Sequence, residues 1–154
     1  MNAGEQTIHN LYSAFQKKDY RTMQQCYTDN ATFSDPVFEN LSAREVRAMW
    51  EMFCVKSKDI TIEFDNITAN DTTGSATWKA TYTFSKTGHK VINLINAKFR
   101  FVDDKIIQHN DDFNFYSWAR QALGLKGFLL GWAPFVKHKV QASAVKSLHN
   151  FMGN

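Results

Sequence analysis

The stretch Lys90-Val-Ile-Asn-Leu-Ile-Asn-Ala-Lys-Phe-Arg-Phe-Val102, followed by Asp103-Asp104 and then by Ile106-Ile-Gln-His-Asn-Asp-Asp-Phe113, decides the fold. In the first run Asn93, Ile95, Ala97, Phe99 and Phe101 recur every second residue, the period of a strand with one covered face. Two aspartates suit the tight turn of a hairpin. The returning run puts Ile107, His109, Asp111 and Phe113 on one face, and Ile106, Gln108, Asn110 and Asp112 on the other. Ile107 and Phe113 select the first set as the inward one, although Ile106 votes against it. A slip of one residue would reverse every side chain and turn Gln108, Asn110 and Asp112 inward instead.

Working outward, Ile60, Ile62 and Phe64 alternate with Thr61, Glu63 and Asp65, and Ala76, Trp78, Ala80, Tyr82 and Phe84 repeat the pattern after Asn70-Asp71. These read as half-buried antiparallel strands, with Thr87-Gly88 turning the chain into the long one. Upstream the period lengthens. Ile8, Leu11, Tyr12 and Phe15 define an amphipathic helix over about residues 4 to 17. A short second helix from Tyr20, with Met23, Cys26 and Tyr27 on one side, is broken by Thr28-Asp29-Asn30. Ala31-Thr32-Phe33 is a short strand, and Asp35-Pro36 an extended or turning pair. Ser42 and Glu45 form a capping box for a third helix whose stripe is Val46, Met49, Trp50 and Phe53. Helices first and strands after them give an α+β fold.

The 154 residues, 44% apolar and 21% charged, suit one domain and exclude disordered and low-complexity classes. Gly127 to Val136 is the longest apolar stretch, about half of the roughly 20 residues a membrane span requires. The opening residues carry Glu5 and His9 where an export signal would be basic and then apolar, so the expected location is cytoplasmic. Four Asn-X-Ser/Thr triplets have no consequence there. Cys26 and Cys54 read as buried thiols. The net charge of +3 conceals a division, because residues 120–154 hold 5 Lys+Arg and no acid, against 13 Lys+Arg and 15 Asp+Glu before them. Those five cations are scattered among apolar residues, without a nucleic-acid-reading motif.

Tyr27-Thr-Asp-Asn-Ala-Thr-Phe-Ser-Asp-Pro36 resembles the stretch of ketosteroid isomerases that carries their catalytic aspartate, and places Asp35 at the base position. His109-Asn-Asp-Asp-Phe-Asn-Phe-Tyr-Ser-Trp-Ala-Arg-Gln-Ala-Leu-Gly124 resembles the final strand and tail of SnoaL-like polyketide cyclase relatives. With the element order, these motifs resemble the nuclear transport factor 2-like superfamily. That resemblance implies a cystatin-like cone over residues 1–125, in which three N-terminal helices lie on a curved, mostly antiparallel sheet. Residues 126–154 would add an amphipathic helical extension packed on the same domain. The isomerases' oxyanion donors fall on Leu11 and Ala97, neither of which donates a proton, so their specific activity is not expected. The arginine of limonene-epoxide-hydrolase-like members has no match, since Arg100 lies on the face opposite Phe99 and Phe101.

His109 and Asp111, two apart on one strand face, stand roughly 6 to 7 Å apart along the strand. A buried carboxylate beside an imidazole suits proton transfer near neutral pH. Asp35 is the candidate general base, His109 the proton shuttle or hydrogen-bond donor, and Asp111 the group that orients His109 or activates water. Tyr12, Phe15, Trp50, Phe53, Trp78, Tyr82 and Phe113, with Asn93 as a polar contact, are the candidate lining of a pocket for an apolar small molecule. Isomerase, cyclase or epoxide-hydrolase-like chemistry without a redox cofactor is one expectation. A non-catalytic binding or interaction module on the same fold is the other. His109-X-Asp111 supplies two ligands, too few for a metal site. A homodimer is expected from exposed sheet and an apolar tail. In the tail, Val136, Val140, Ala144 and Leu148 form one stripe of a helix opened by Pro134. Packing against the sheet or over the cone mouth is the favoured reading, with a lid, a dimer contact and a membrane-surface helix as alternatives.

Overall fold

The computed structural model describes residues 1–153. Helix α1 (Ala3–Gln16) starts on Asn2, whose side chain accepts from the Glu5 amide, and turns Ile8, Leu11, Tyr12 and Phe15 inward. Helix α2 (Tyr20–Gln25) ends at Cys26, and strand β1 (Tyr27–Ser34) begins at once, so Thr28-Asp29-Asn30 belongs to the strand rather than to a break. Ser42 and Glu45 close the expected capping box of α3 (Ala43–Lys56). Strands β2 (Thr61–Ala69), β3 (Thr73–Phe84), β4 (His89–Val102) and β5 (Lys105–Asp112) follow.

The strands form a five-stranded mixed sheet in the order β1-β5-β4-β3-β2, antiparallel except for the β1–β5 pair. Asp103 and Asp104 both take positive φ, 49° and 64°, and make the two-residue hairpin between β4 and β5. On β4 the inner row Val91, Asn93, Ile95, Ala97, Phe99 and Phe101 is buried, while Lys98 and Arg100 are exposed on the outer face. Helices α1 to α3 cover the inner face, and the core fills the space between them and the sheet.

Strand β5 departs from simple alternation. Phe101 pairs with Ile106 but Arg100 pairs with Gln108, so Ile107 is an extra residue on its strand. This bulge resets the pleat. Ile106 therefore points inward with Phe101, and His109 and Asp111 still point inward opposite Phe99 and Ala97. Ile106 is inward as its own apolarity indicates, and the placement of Ile107 on the His109 face is corrected.

Three helices follow β5: α4 (Phe115–Leu123), α5 (Leu125–Leu130) and α6 (Pro134–Phe151). Trp118, Ala119 and Ala122 of α4 pack with Val91, Tyr82, Phe84 and Phe113 in a second small core. Beyond Asn96, where β5 has ended, the Gln121 carboxamide accepts from the Ile92 amide at 2.8 Å and donates to its carbonyl at 3.1 Å. Helix α6 buries Val136 and Leu148 and partly covers Val140 and Ala144, the expected stripe. Its Gln141 donates to the Pro36 carbonyl at 3.0 Å, its His149 meets Glu45 of α3 at 3.0 Å, and Ser143 meets Lys86 of the β3–β4 turn. The tail thus straps the loop after Asp35 to the rim of the sheet. No helix among the described residues is long and apolar enough to cross a membrane.

Candidate active site

The inner row of β5 delivers His109, fully buried, and Asp111, 7% exposed, to the centre of the core. His109 Nδ1 lies 2.8 Å from the Tyr27 hydroxyl, and His109 Nε2 lies 2.8 Å from Asp111 Oδ1. Trp50 Nε1 donates to the same Tyr27 oxygen at 2.9 Å, and Trp78 Nε1 donates to Asp111 Oδ1 at 3.4 Å. One assignment satisfies all of these groups: Tyr27 donates to Nδ1, and the ring carries its hydrogen on Nε2 and gives it to Asp111. A buried chain of polar groups thereby runs from α3 through β1 and β5 to β3. Tyr27 is a site residue that the sequence reading does not single out. Its signal was its position at the head of the motif ending in Asp35-Pro36, masked because it also fitted the apolar side of α2.

Aromatic rings pack around this chain. Phe99 lies 4.4 Å from the His109 ring centroid and Phe33 lies 4.9 Å from it, while Trp50 packs on Phe15, Phe53 and Trp78 at 5.2 to 6.2 Å. Of the expected lining, Tyr12, Phe15, Trp50 and Trp78 are buried here, with Phe53 half-buried beside them. Tyr82 and Phe113 are partly buried against the second small core, where Tyr82 accepts from Trp118 Nε1 at 2.8 Å. Asn93 is buried on the same inner row, opposite Ala80. Two open grooves of about 620 and 640 Å³ lie along the sheet beside Lys98 and Asn110, and neither is lined by Asp35 or Tyr12.

Asp35 closes a turn. Its Oδ1 accepts from the amides of Val37 at 2.7 Å and Phe38 at 2.6 Å, while Oδ2 has no partner among the described residues. Burial raises its pKa to about 7; the Phe38 amide bond opposes that rise and the charge of Asp111 adds to it. Asp35 also contributes to the raised pKa of Tyr82, after burial and against the Trp118 hydrogen bond. The Tyr12 hydroxyl is the one fully buried side-chain polar atom without a hydrogen-bond partner among the described residues. Burial, and then the charge of Asp111, hold its pKa well above the ordinary phenol value. Asp111 thus lies on the inner face of the sheet, the unpaired Tyr12 phenol on the buried side of α1, and Asp35 in the turn that follows β1. Of these groups Asp35 is the one that can take up and release a proton near neutral pH, while the Tyr12 phenol stays protonated and can donate a hydrogen bond.

Comparison with known proteins agrees with this fold. An epoxide hydrolase of the limonene-epoxide-hydrolase-like type from Mycobacterium tuberculosis is 14% identical over 84% of this chain and 96% of its own, with a TM-score of 0.64. IdmH, a proposed polyketide cyclase from Streptomyces antibioticus, is 19% identical over 79% of this chain and 99% of its own, with a TM-score of 0.65. A nuclear transport factor 2-like protein of unknown function from Burkholderia pseudomallei is 13% identical over 79% of this chain and 98% of its own, at 0.67. At these identities the likeness is one of fold. No curated protein matches the sequence. The SnoaL-like domain profile matches residues 8–109, from Ile8 of α1 to His109 of β5, and the chain belongs to the SnoaL-like family of nuclear transport factor 2-like folds.

Proposed function

We propose that this chain is an acid–base enzyme that moves a proton on a small apolar compound bearing a carbonyl or epoxide oxygen, in an isomerisation, cyclisation or ring opening. The observation that carries the reading is the unpaired, fully buried Tyr12 hydroxyl, within electrostatic reach of Asp111. A buried hydroxyl without a partner costs about 1–3 kcal/mol, and an oxygen acceptor on a ligand removes that cost. Tyr12 would hold the substrate oxygen. Asp35, with a pKa of about 7 and a free Oδ2, would take the proton and return it. His109 has both ring nitrogens engaged, which suits it to holding Asp111 in place better than to carrying protons. Asp111 would face the ligand or a water, and Asn93, Phe53, Tyr82 and Phe113 would line the path from the mouth. Entry requires α6 and the Pro36–Glu39 loop to part, because Gln141 ties them together. We place the protein in the cytoplasm as a homodimer joined through the outer sheet face, where Ile92 and Leu94 are exposed.

The aromatic packing and the closed Tyr27–His109–Asp111 chain favour a second reading, a binding module in which this network is purely structural. Turnover of a panel of β,γ-unsaturated ketones and cyclic epoxides separates the two. Loss of one oxyanion donor typically lowers turnover about 10²-fold or more, and loss of a general base by about 10²–10⁴-fold. Tyr12→Phe and Asp35→Asn should show these losses while still melting cooperatively. A panel that binds without turning over would assign the site to the module, and full activity in both variants would remove Tyr12 and Asp35 from the chemistry.

A further inference from the structure

We propose that α5 and the turn into α6 form a docking surface for an anionic lipid bilayer. Helix α5 is inside out: the residue it buries is Gly127, while Leu125, Phe128, Leu129 and Leu130 are exposed. Trp132 and Phe135, 71% and 61% exposed, continue the patch. The cause is the seating of α5 on α4. A Cβ at Gly127 would stand 1.9 Å from the Ala119 carbonyl oxygen, and one at Gly131 would stand 3.0 Å from the Ala119 Cβ. Glycine here permits backbone-on-backbone contact and turns every large side chain of the helix outward. The Tyr116 hydroxyl fixes the turn by donating to the Phe128 carbonyl at 2.9 Å. Six large apolar side chains are thus presented by an ordered element within eleven residues of chain.

Charge selects the occupant. Residues 120–154 contain no acid, and Arg120, Lys126, Lys137 and Lys139 flank the patch in sequence with no carboxylate partner among the described residues. A second copy joined patch to patch about a two-fold axis would bring these cations together. A leaflet of anionic headgroups over acyl chains complements both parts, with Trp132 suited to the interface and leucine and phenylalanine to the layer beneath. The alternative of a membrane-surface helix is thereby placed on α5 rather than on α6, whose stripe is packed inward. The inference does not rest on the catalytic reading, and its test measures no turnover.

Cosedimentation with phosphatidylcholine vesicles, with and without phosphatidylserine, tests it. The protein should pellet with the phosphatidylserine vesicles, less with phosphatidylcholine alone, and less as salt is raised. Phe128→Ser combined with Trp132→Ser, and separately Lys126→Glu combined with Lys139→Glu, should each reduce partitioning by about tenfold or more. Because these side chains are exposed, the melting temperature should hold in both variants. Failure of the wild type to pellet with phosphatidylserine vesicles, or equal pelleting by both variants, would overturn the proposal. So would an oligomer that Phe128→Ser with Trp132→Ser dissociates while vesicles capture nothing, which would give the patch to a second copy.

Discussion

Replacing Asp35 with asparagine should change how stability depends on pH. The native carboxyl titrates at about 7, against 3.8 for the exposed group. Between these values the folded protein keeps a proton that the unfolded chain has released. Unfolding then releases a proton, so stability falls as pH rises through this window and levels off above about 7. At about 1.36 kcal/mol per unit, the full shift corresponds to about 4 kcal/mol, reduced where the side chain relaxes toward water. Asparagine does not titrate, yet its Oδ1 can still accept from the Val37 and Phe38 amides. Urea unfolding of both proteins at intervals from pH 4.5 to 8.5 gives the difference directly. The variant should gain on the wild type by about 2–4 kcal/mol across that range, with most of the change below pH 7. Parallel stability curves would refute the reasoning, because they would mean that Asp35 ionises as an ordinary surface carboxylate.

Tyr27→Phe should destabilise by about 2–4 kcal/mol in chemical denaturation, since it leaves both Trp50 Nε1 and His109 Nδ1 without a partner in the dry core. Tyr12→Phe should be neutral or slightly stabilising in the same assay, because it removes a hydroxyl that makes no bond. The opposite signs of two tyrosine-to-phenylalanine changes in one core are a strict check on the hydrogen-bond pattern. Gly127→Ala should loosen α5 from α4, measured as faster proteolysis near Leu125–Trp132 with the main melting transition retained, because its Cβ has no room against Ala119.

The sheet was legible wherever period two held without interruption. In β4 the inner row is that expected from the sequence, and Arg100 stands outside as expected. Strand β5 exposes the limit of periodicity, since a bulge makes Ile106 and His109 face the same way and no spacing rule announces an inserted residue. The capping box at Ser42 was readable because its two residues interact locally. Helix α4 was not identified, although Asn114 caps it in the usual way and Trp118, Ala119 and Ala122 recur with helical period. Of the candidate site, the inward orientation of His109 and Asp111 followed from the strand face. Tyr27 did not, because its role depends on β1 lying parallel to β5, a pairing across some eighty residues of chain. The exposure of α5 was equally hidden, for hydropathy marks Phe128 to Leu130 as core and only the glycine contact turns them outward.

The carboxamide of Gln121 also governs how the molecule can associate. Strand β4 outruns β5, and its unpaired backbone would otherwise template a strand from another molecule, the route by which open sheets aggregate. By meeting both the amide and the carbonyl of Ile92, one side chain ends the ladder there and denies an incoming chain its first rung. Leu41 does the same at the other flank through its paired backbone bonds with Phe33. On β2 the positive φ of Asn66 and the register shift after Asp65 spoil the regular edge. A sheet protected in this way can carry apolar residues on its outer face without seeding fibrils.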